Sequence, residues 1–177
     1  MKSSSDAADP NLNQHMSIRE ASALSGLPAS TIRFYEKERV IPPIKRDEIG
    51  HRYFDQEDVN FLIGVACVAS TGMSLPDLRD YMQHAASGHA DPEHQKSLLE
   101  HQLTQIETEQ SVIRLRKKFV SAKIDYWNAV EARSPEDLRA THKRIESIER
   151  NLTRKLADVE KSQREEKESR IREESDD

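Results

Sequence analysis

STIRFYEKERVIPPIKRDEIGHRYF, residues 30–54, sets Arg33, Arg39, Lys45, Arg46 and Arg52 among Phe34, Tyr35, Tyr53 and Phe54, in a chain whose formal net charge is -5. A basic segment interleaved with aromatics suits a nucleic-acid surface. It also fits an ordinary solvated helix and hairpin. Pro42 and Pro43 cut the segment in two, because neither continues a helix. Before them, Pro28 opens a helix to about Glu38, with Ile32 and Tyr35 inward and Ser30, Arg33, Phe34 and Lys37 on another face. After them, IKR and HRYF flank DEIG, a small hairpin with Gly50 in the turn and Lys45, Arg46 and Arg52 on a projecting loop.

Working outward, Ile18, Ala21 and Leu24 lie on one side of a short helix that Gly26 stops. Two short helices across a tight turn make a helix-turn-helix. Downstream, Asp55 caps a helix with Asp58 in its first turn and an inner stripe of Val59, Leu62, Ile63, Ala66 and Ser70, ending at Gly72. Ser74 caps a fourth helix, with Pro76 and Asp77 early in it and Leu75, Leu78, Met82 and Ala85 facing inward. Residues 16–86 therefore read as a small domain able to enclose a core, followed by a linker at 87–93.

The remainder reads as long helices. Over 94–132, Leu99, Leu103, Ile106, Gln110, Ile113, Lys117, Val120, Ile124 and Trp127 recur at steps of four and three, a heptad seam. A helix with such a stripe needs a partner, and self-association into a homodimer is the expectation over folding back on its own domain. Gln110 and Lys117 cost stability on the seam and fix its register. A C-terminal amphipathic helix at 134–160 carries Leu138, Ile145, Leu152 and Val159 every seven residues and can pack back along the first. Residues 161–177 are almost wholly charged and are expected as a disordered tail, and residues 1–15 as a disordered leader.

Composition agrees. In 177 residues, 35% are hydrophobic and 33% charged, too polar for one core of that length. The single cysteine, Cys67, forms no intrachain disulfide, which fits a reducing, cytoplasmic setting. No segment approaches a membrane span. There is no Gly-rich phosphate loop and no Ser/His/Asp arrangement that one pocket would hold, so an enzyme is not expected.

For double-stranded DNA, the second helix fits a major groove. Ser30 and Thr31 stand at its start, Arg33 reaches a phosphate or guanine edge, and Phe34 shares that face. Lys45, Arg46, His51 and Arg52 suit neighbouring phosphates, and Tyr35 or Tyr53 adds a hydroxyl. A dimer would place two copies on an inverted repeat. The alternative is a coiled-coil adaptor whose helix-turn-helix docks protein.

IREASALSGLPASTIRFYEKERVIPP, RDEIGHRYFDQEDVNFL and STGMSLPDLRDYM, across residues 17–86, resemble the DNA-binding domain of the MerR family of transcription regulators. The family's arginine-aromatic-tyrosine-glutamate pattern stands as Arg33-Phe34-Tyr35-Glu36, and its wing as Gly50-His51-Arg52-Tyr53-Phe54. Pro28 stands where the family often has a Ser or Thr cap. The resemblance implies a winged helix-turn-helix followed by an antiparallel dimerising helix. With the C-terminal helix read from the residues, the expected fold is mainly α: a winged helix-turn-helix domain followed by a long coiled-coil dimerisation helix and a C-terminal helix. The resemblance further implies promoter DNA and RNA polymerase as partners, with control by distortion of the promoter.

Thiolate metal sites of the mercury and copper branches need cysteines that this chain lacks beyond the long helix. Around Cys67, VACVASTGMS resembles the AdhR/NmlR branch, which implies a response to aldehydes or other electrophiles through that thiol. The plainer reading is a small residue at the core edge. The C-terminal helix departs from the short members of the AdhR/NmlR branch. His84, His89, His94 and His101 cluster around the linker, but their spacing puts them on no single helical face, so neither metal nor cofactor is expected.

Overall fold

A computed structural model describes residues 15–86 and 91–175. The elements run β1 (Met16–Ser17), α1 (Ile18–Ser25), α2 (Ala29–Lys37), β2 (Tyr53–Phe54), α3 (Gln56–Ser70), α4 (Leu75–Ala86), α5 (Pro92–Glu131) and α6 (Pro135–Ser175). The chain divides into two compact units at Gln102/Leu103. The fold is mainly α, as expected. No described helix is long and apolar enough to cross a membrane. The leader expected at 1–15 lies outside the described residues except for His15.

In the first unit, local chemistry sets each helix. Ser17 caps α1 in a capping box: its Oγ accepts the Glu20 N–H at 3.3 Å, and Glu20 Oε2 accepts the Ser17 N–H at 2.7 Å. That backbone bond, then one from the Ser17 hydroxyl, holds the Glu20 carboxyl below its ordinary pKa. Gly26 ends α1 at φ +74°, a left-handed conformation that glycine adopts without cost. The turn into α2 is tied by Ser25, whose buried hydroxyl donates to the Ala21 carbonyl (2.7 Å) and accepts the Leu27 N–H (3.3 Å). Pro28 occupies the N-cap of α2 and offers no capping side chain, yet the helix starts at the next residue. A second capping box, Asp55 with Asp58, opens α3.

Ala21, Ile32, Val40, Phe54, Val59, Leu62, Val65, Leu78 and Met82 form the core, each at most 4% exposed. Two expectations shift by one position. Leu24 is exposed, because Ala21 and Ser25, four residues apart, take the inward face of the two-turn α1. On α3 the inner stripe runs through Val59, Leu62 and Val65, leaving Ile63 and Ser70 outside. Ala85 is likewise exposed at the end of α4. The short β1 pairs antiparallel with β2, Met16 opposite Phe54 and Ser17 opposite Tyr53, tying the wing to the start of α1.

In the second unit, α6 runs back along α5 after the turn at Arg133 (φ +53°). Arg144 pairs with Asp125, and Lys123 Nζ lies 3.9 Å from Glu149. Val112, Ala122, Ala129 and Ile145 are buried there. Three boundaries differ from the sequence expectation. α5 begins at Pro92, within the expected linker, because Asp91 caps it, its carboxylate accepting the Glu93 N–H at 3.0 Å. It ends at Glu131, and α6 continues to Ser175 through the segment expected as a disordered tail. Glu, Lys, Arg and Gln are strong helix formers, and i,i+4 pairs such as Lys161–Glu165 (3.7 Å) add to them; high polarity alone does not unfold such a helix.

Candidate nucleic-acid interface

α2 and the wing that follows it form the candidate surface. Pro28 as N-cap makes no side-chain cap bond, and among the described residues no side chain covers the first-turn N–H groups of α2. These backbone donors therefore remain at the positive end of the helix dipole, which suits a phosphate. Ser30 is exposed and Thr31 half-buried in that turn. Arg33 is exposed and has no hydrogen bond or ion pair among the described residues. Phe34 beside it is 45% exposed. Tyr35 has a different part: its ring packs partly against the core, and its carbonyl accepts the Val40 N–H at 2.9 Å, closing the helix end.

The wing is a hairpin with its turn at Asp47–His51. The Asp47 carboxylate accepts the Ile49 and His51 N–H groups at 3.1 and 2.7 Å, an Asx-type lock. Gly50 sits at φ +87°. Arg46 pairs with Arg52 across the hairpin, and the Tyr53 N–H donates to the Lys45 carbonyl at 3.1 Å. Arg46 and His51 are exposed near the tip; Arg46 Nη1 donates to the Gly50 carbonyl at 3.2 Å. Tyr53 stacks on His15 with ring centroids 4.1 Å apart.

Two of the basic residues assigned to phosphates are engaged inside the domain. Arg52 donates through Nε (2.8 Å) and Nη2 (2.6 Å) to Glu36 Oε2, and the other oxygen of Glu36 accepts the Ile44 N–H at 3.2 Å. The side chains of Arg52 and Glu36 are only 24% and 15% exposed, so this pair braces the wing against α2. Lys45 Nζ donates to Asp55 Oδ2 at 2.5 Å and lies 3.7 Å from Asp58. The bond to Asp55, then the Asp58 charge, raises the Lys45 pKa; the same bond, followed by the Asp58 backbone N–H, lowers that of Asp55. Sequence reasoning missed Glu36 and Asp55 as the partners that set these two roles. Charge count signalled the bases and not their acids.

Away from this surface, Cys67 is exposed on the outer side of α3, not at the core edge. Leu99, Leu103, Ile106, Ile113, Val120, Ile124 and Trp127 of the expected seam are all exposed, up to 65% at Trp127. At 100° per residue most of them lie broadly across from the buried Ala122 and Ala129, and the buried Val112 falls between the two faces. Of the linker histidines, His89 lies outside the described residues, but His84 and His94 come together around Asp80. Sharing one helical face is not required for this, contrary to the expectation from spacing, because His94 belongs to the next helix.

Residues 16–85 match the MerR HTH family regulatory protein domain. The chain is similar to the crystal structure of a protein assigned to the MerR family of transcriptional regulators from Listeria monocytogenes, at 31% identity and a TM-score of 0.58 over 72% of this chain and 96% of that one. The chain belongs to the MerR family. This MerR protein is also similar to HiNmlR, a MerR family regulator lacking the sensor domain and solved bound to promoter DNA (28% identity, TM-score 0.56, 72% of this chain and 96% of that chain). It is 33% identical over 84 residues to the transcriptional regulator AdhR of Bacillus subtilis, a match covering 48% of this chain and 60% of AdhR. The resemblance to the AdhR/NmlR branch is thereby borne out. The chain is a DNA-binding transcription regulator, and the adaptor alternative is not favoured.

Proposed function

We propose that this regulator binds promoter DNA as a homodimer, with α2 in the major groove and the wing against the flanking backbone. The exposed Arg33, with no partner among the described residues, beside the uncapped start of α2 carries this reading, supported by the likeness to promoter-bound HiNmlR. Arg33 supplies the base-edge or phosphate contact, and Ser30, Thr31 and the first-turn N–H groups take a phosphate. Phe34 offers apolar contact beside them. Arg46, His51 and Tyr53 contact the backbone from the wing. Lys45 and Arg52 act chiefly as braces, their remaining N–H donors turned to phosphates.

The exposed seam on α5 supports association with a second copy, since its opposite side is already occupied by buried residues. Two copies related by a two-fold axis read an inverted repeat. Control of RNA polymerase by distortion of the promoter follows from the family resemblance and uses sequence-dependent deformability. Such a regulator works in the cytoplasm, on chromosomal DNA, and performs no catalysis. Exposed Cys67 supplies an accessible thiol for an electrophile response.

The test is selection of genomic fragments by the purified protein, footprinted with and without a reactive aldehyde. An inverted-repeat footprint within a promoter supports the reading; no enrichment over competitor DNA overturns it. An aldehyde-dependent change lost in Cys67→Ser supports the sensing role, and an aldehyde-insensitive footprint removes it.

A further inference from the structure

The junction between α4 and α5 gathers three metal-ligating side chains that DNA binding does not use. Asp80 and His84 stand four residues apart on α4 and share a face. His94 comes from the first turn of α5. His84 Nδ1 lies 2.9 Å from Asp80 Oδ1, and His94 Nε2 lies 2.8 Å from Asp80 Oδ2. The two imidazole rings have centroids 4.8 Å apart, and one ligand atom from each residue lies within 4.8 Å of the others. All three side chains are half-buried, which leaves an entry path for an ion.

We propose that Asp80, His84 and His94 bind a divalent cation of the zinc class. Two imidazole nitrogens and one carboxylate oxygen, with a fourth position left to water, make a sufficient tetrahedral set. Imidazole donors favour zinc, cobalt or nickel over magnesium or calcium. Ligand atoms sit about 2 Å from zinc, so in a tetrahedron they lie roughly 3.3 Å from one another. The Asp80 carboxylate already meets both rings closer than that. His84 Nδ1 also lies 2.9 Å from the Asp80 backbone carbonyl, so an ion would displace the proton of whichever ring nitrogen it takes. It would also join the last helix of the DNA-binding domain to the first turn of α5. Part of that junction is already fixed, since Gln95 Nε2 donates to the Tyr81 carbonyl at 3.1 Å.

The test uses the full chain, stripped with chelator. Zn2+ is titrated against a chromophoric competitor, and Co2+ is followed by visible absorption. One ion per chain is expected, with the weak bands of a nitrogen and oxygen site and no thiolate charge-transfer band. The melting temperature should rise with added Zn2+. His84→Ala and His94→Ala should each weaken binding at least about tenfold, since even outer-shell changes at metal sites cost that much. Asp80→Asn, which keeps the side-chain shape, should do the same and serves if an alanine variant loses its helical circular dichroism. Cys67→Ser and His142→Ala should leave binding unchanged. Absence of binding, binding that survives Asp80→Asn together with His94→Ala, or a thiolate band lost in Cys67→Ser would each overturn the site.

Discussion

Arg52→Ala should destabilise the N-terminal unit, because Arg52 braces the wing before it meets any DNA. Two guanidinium N–H groups converge on one oxygen of Glu36, and the second oxygen holds the Ile44 N–H. An exposed ion pair contributes about 0–1 kcal/mol, and removing one partner of a buried pair costs about 3–5 kcal/mol. These side chains are 24% and 15% exposed, between the two limits. We therefore expect a loss of about 2 kcal/mol, consistent with hydrogen bonds to charged groups at roughly 1.5–3 kcal/mol. For a domain of this size that lowers Tm by roughly 8–16 °C. Glu36→Gln keeps an acceptor for Ile44 and should cost about half as much, and the double variant should reveal a coupling of about 1 kcal/mol. Thermal circular dichroism reads the Tm, and hydrogen exchange of the Ile44 amide reads the brace directly. An unchanged Tm and Ile44 protection in Arg52→Ala, with DNA affinity lost, would make Arg52 a DNA contact and refute the brace.

The depressed pKa of Asp55 lies below its ordinary 3.8, so its contribution is present above pH 3.8 and is lost as pH falls through the folded value. Asp55→Asn should be less stable than the parent at pH 7 and converge with it in acid unfolding below pH 3.8; a constant difference across that range would contradict the assignment. On α5, Ile113→Glu should dissociate the dimer: losing an apolar side chain of about 1.5–3 kcal/mol from each of two copies raises the dissociation constant by roughly 10²–10⁴. Sedimentation equilibrium checks this, and an unchanged dimer would move the interface elsewhere. Gly50→Ala meets no atom within 4 Å, so only its φ of +87° opposes it. Exchange protection of the wing amides should fall by about 1–2 kcal/mol, and unchanged protection would mean the turn tolerates the strain.

The helix-turn-helix and wing were legible because a few residues leave the backbone little choice. Gly26 and Pro28 bracket the turn, Pro42-Pro43 ends the helical text, and Gly50 takes a conformation other residues avoid. The caps at Asp55 and Ser74 were equally readable, since capping is a matter of neighbours in sequence. What stayed hidden is tertiary. β1 has only two residues, too short for any periodicity, and owes its existence to the partner strand at Tyr53–Phe54. Arg52 and Lys45 looked like phosphate ligands because their acids lie 16 and 10 residues away. The apolar positions on α5 belong to two opposed faces, and the heptad count followed only the exposed one. His84 and His94 meet only because α4 and α5 do. The charged C-terminal run was read by its polarity, while its helix-forming residues and i,i+4 pairs decided its conformation.

Promoter recognition is assigned to α2. The most direct test is the affinity of Arg33→Ala for an enriched promoter fragment, measured against the parent at fixed salt with Tm as a control. Two lost contacts per dimer, at about 1–3 kcal/mol each, predict at least a roughly 30-fold weaker Kd, with Tm unchanged because Arg33 has no described partner in the fold. An Arg33→Ala protein that binds the fragment as tightly as the parent would contradict the placement of α2 in the groove.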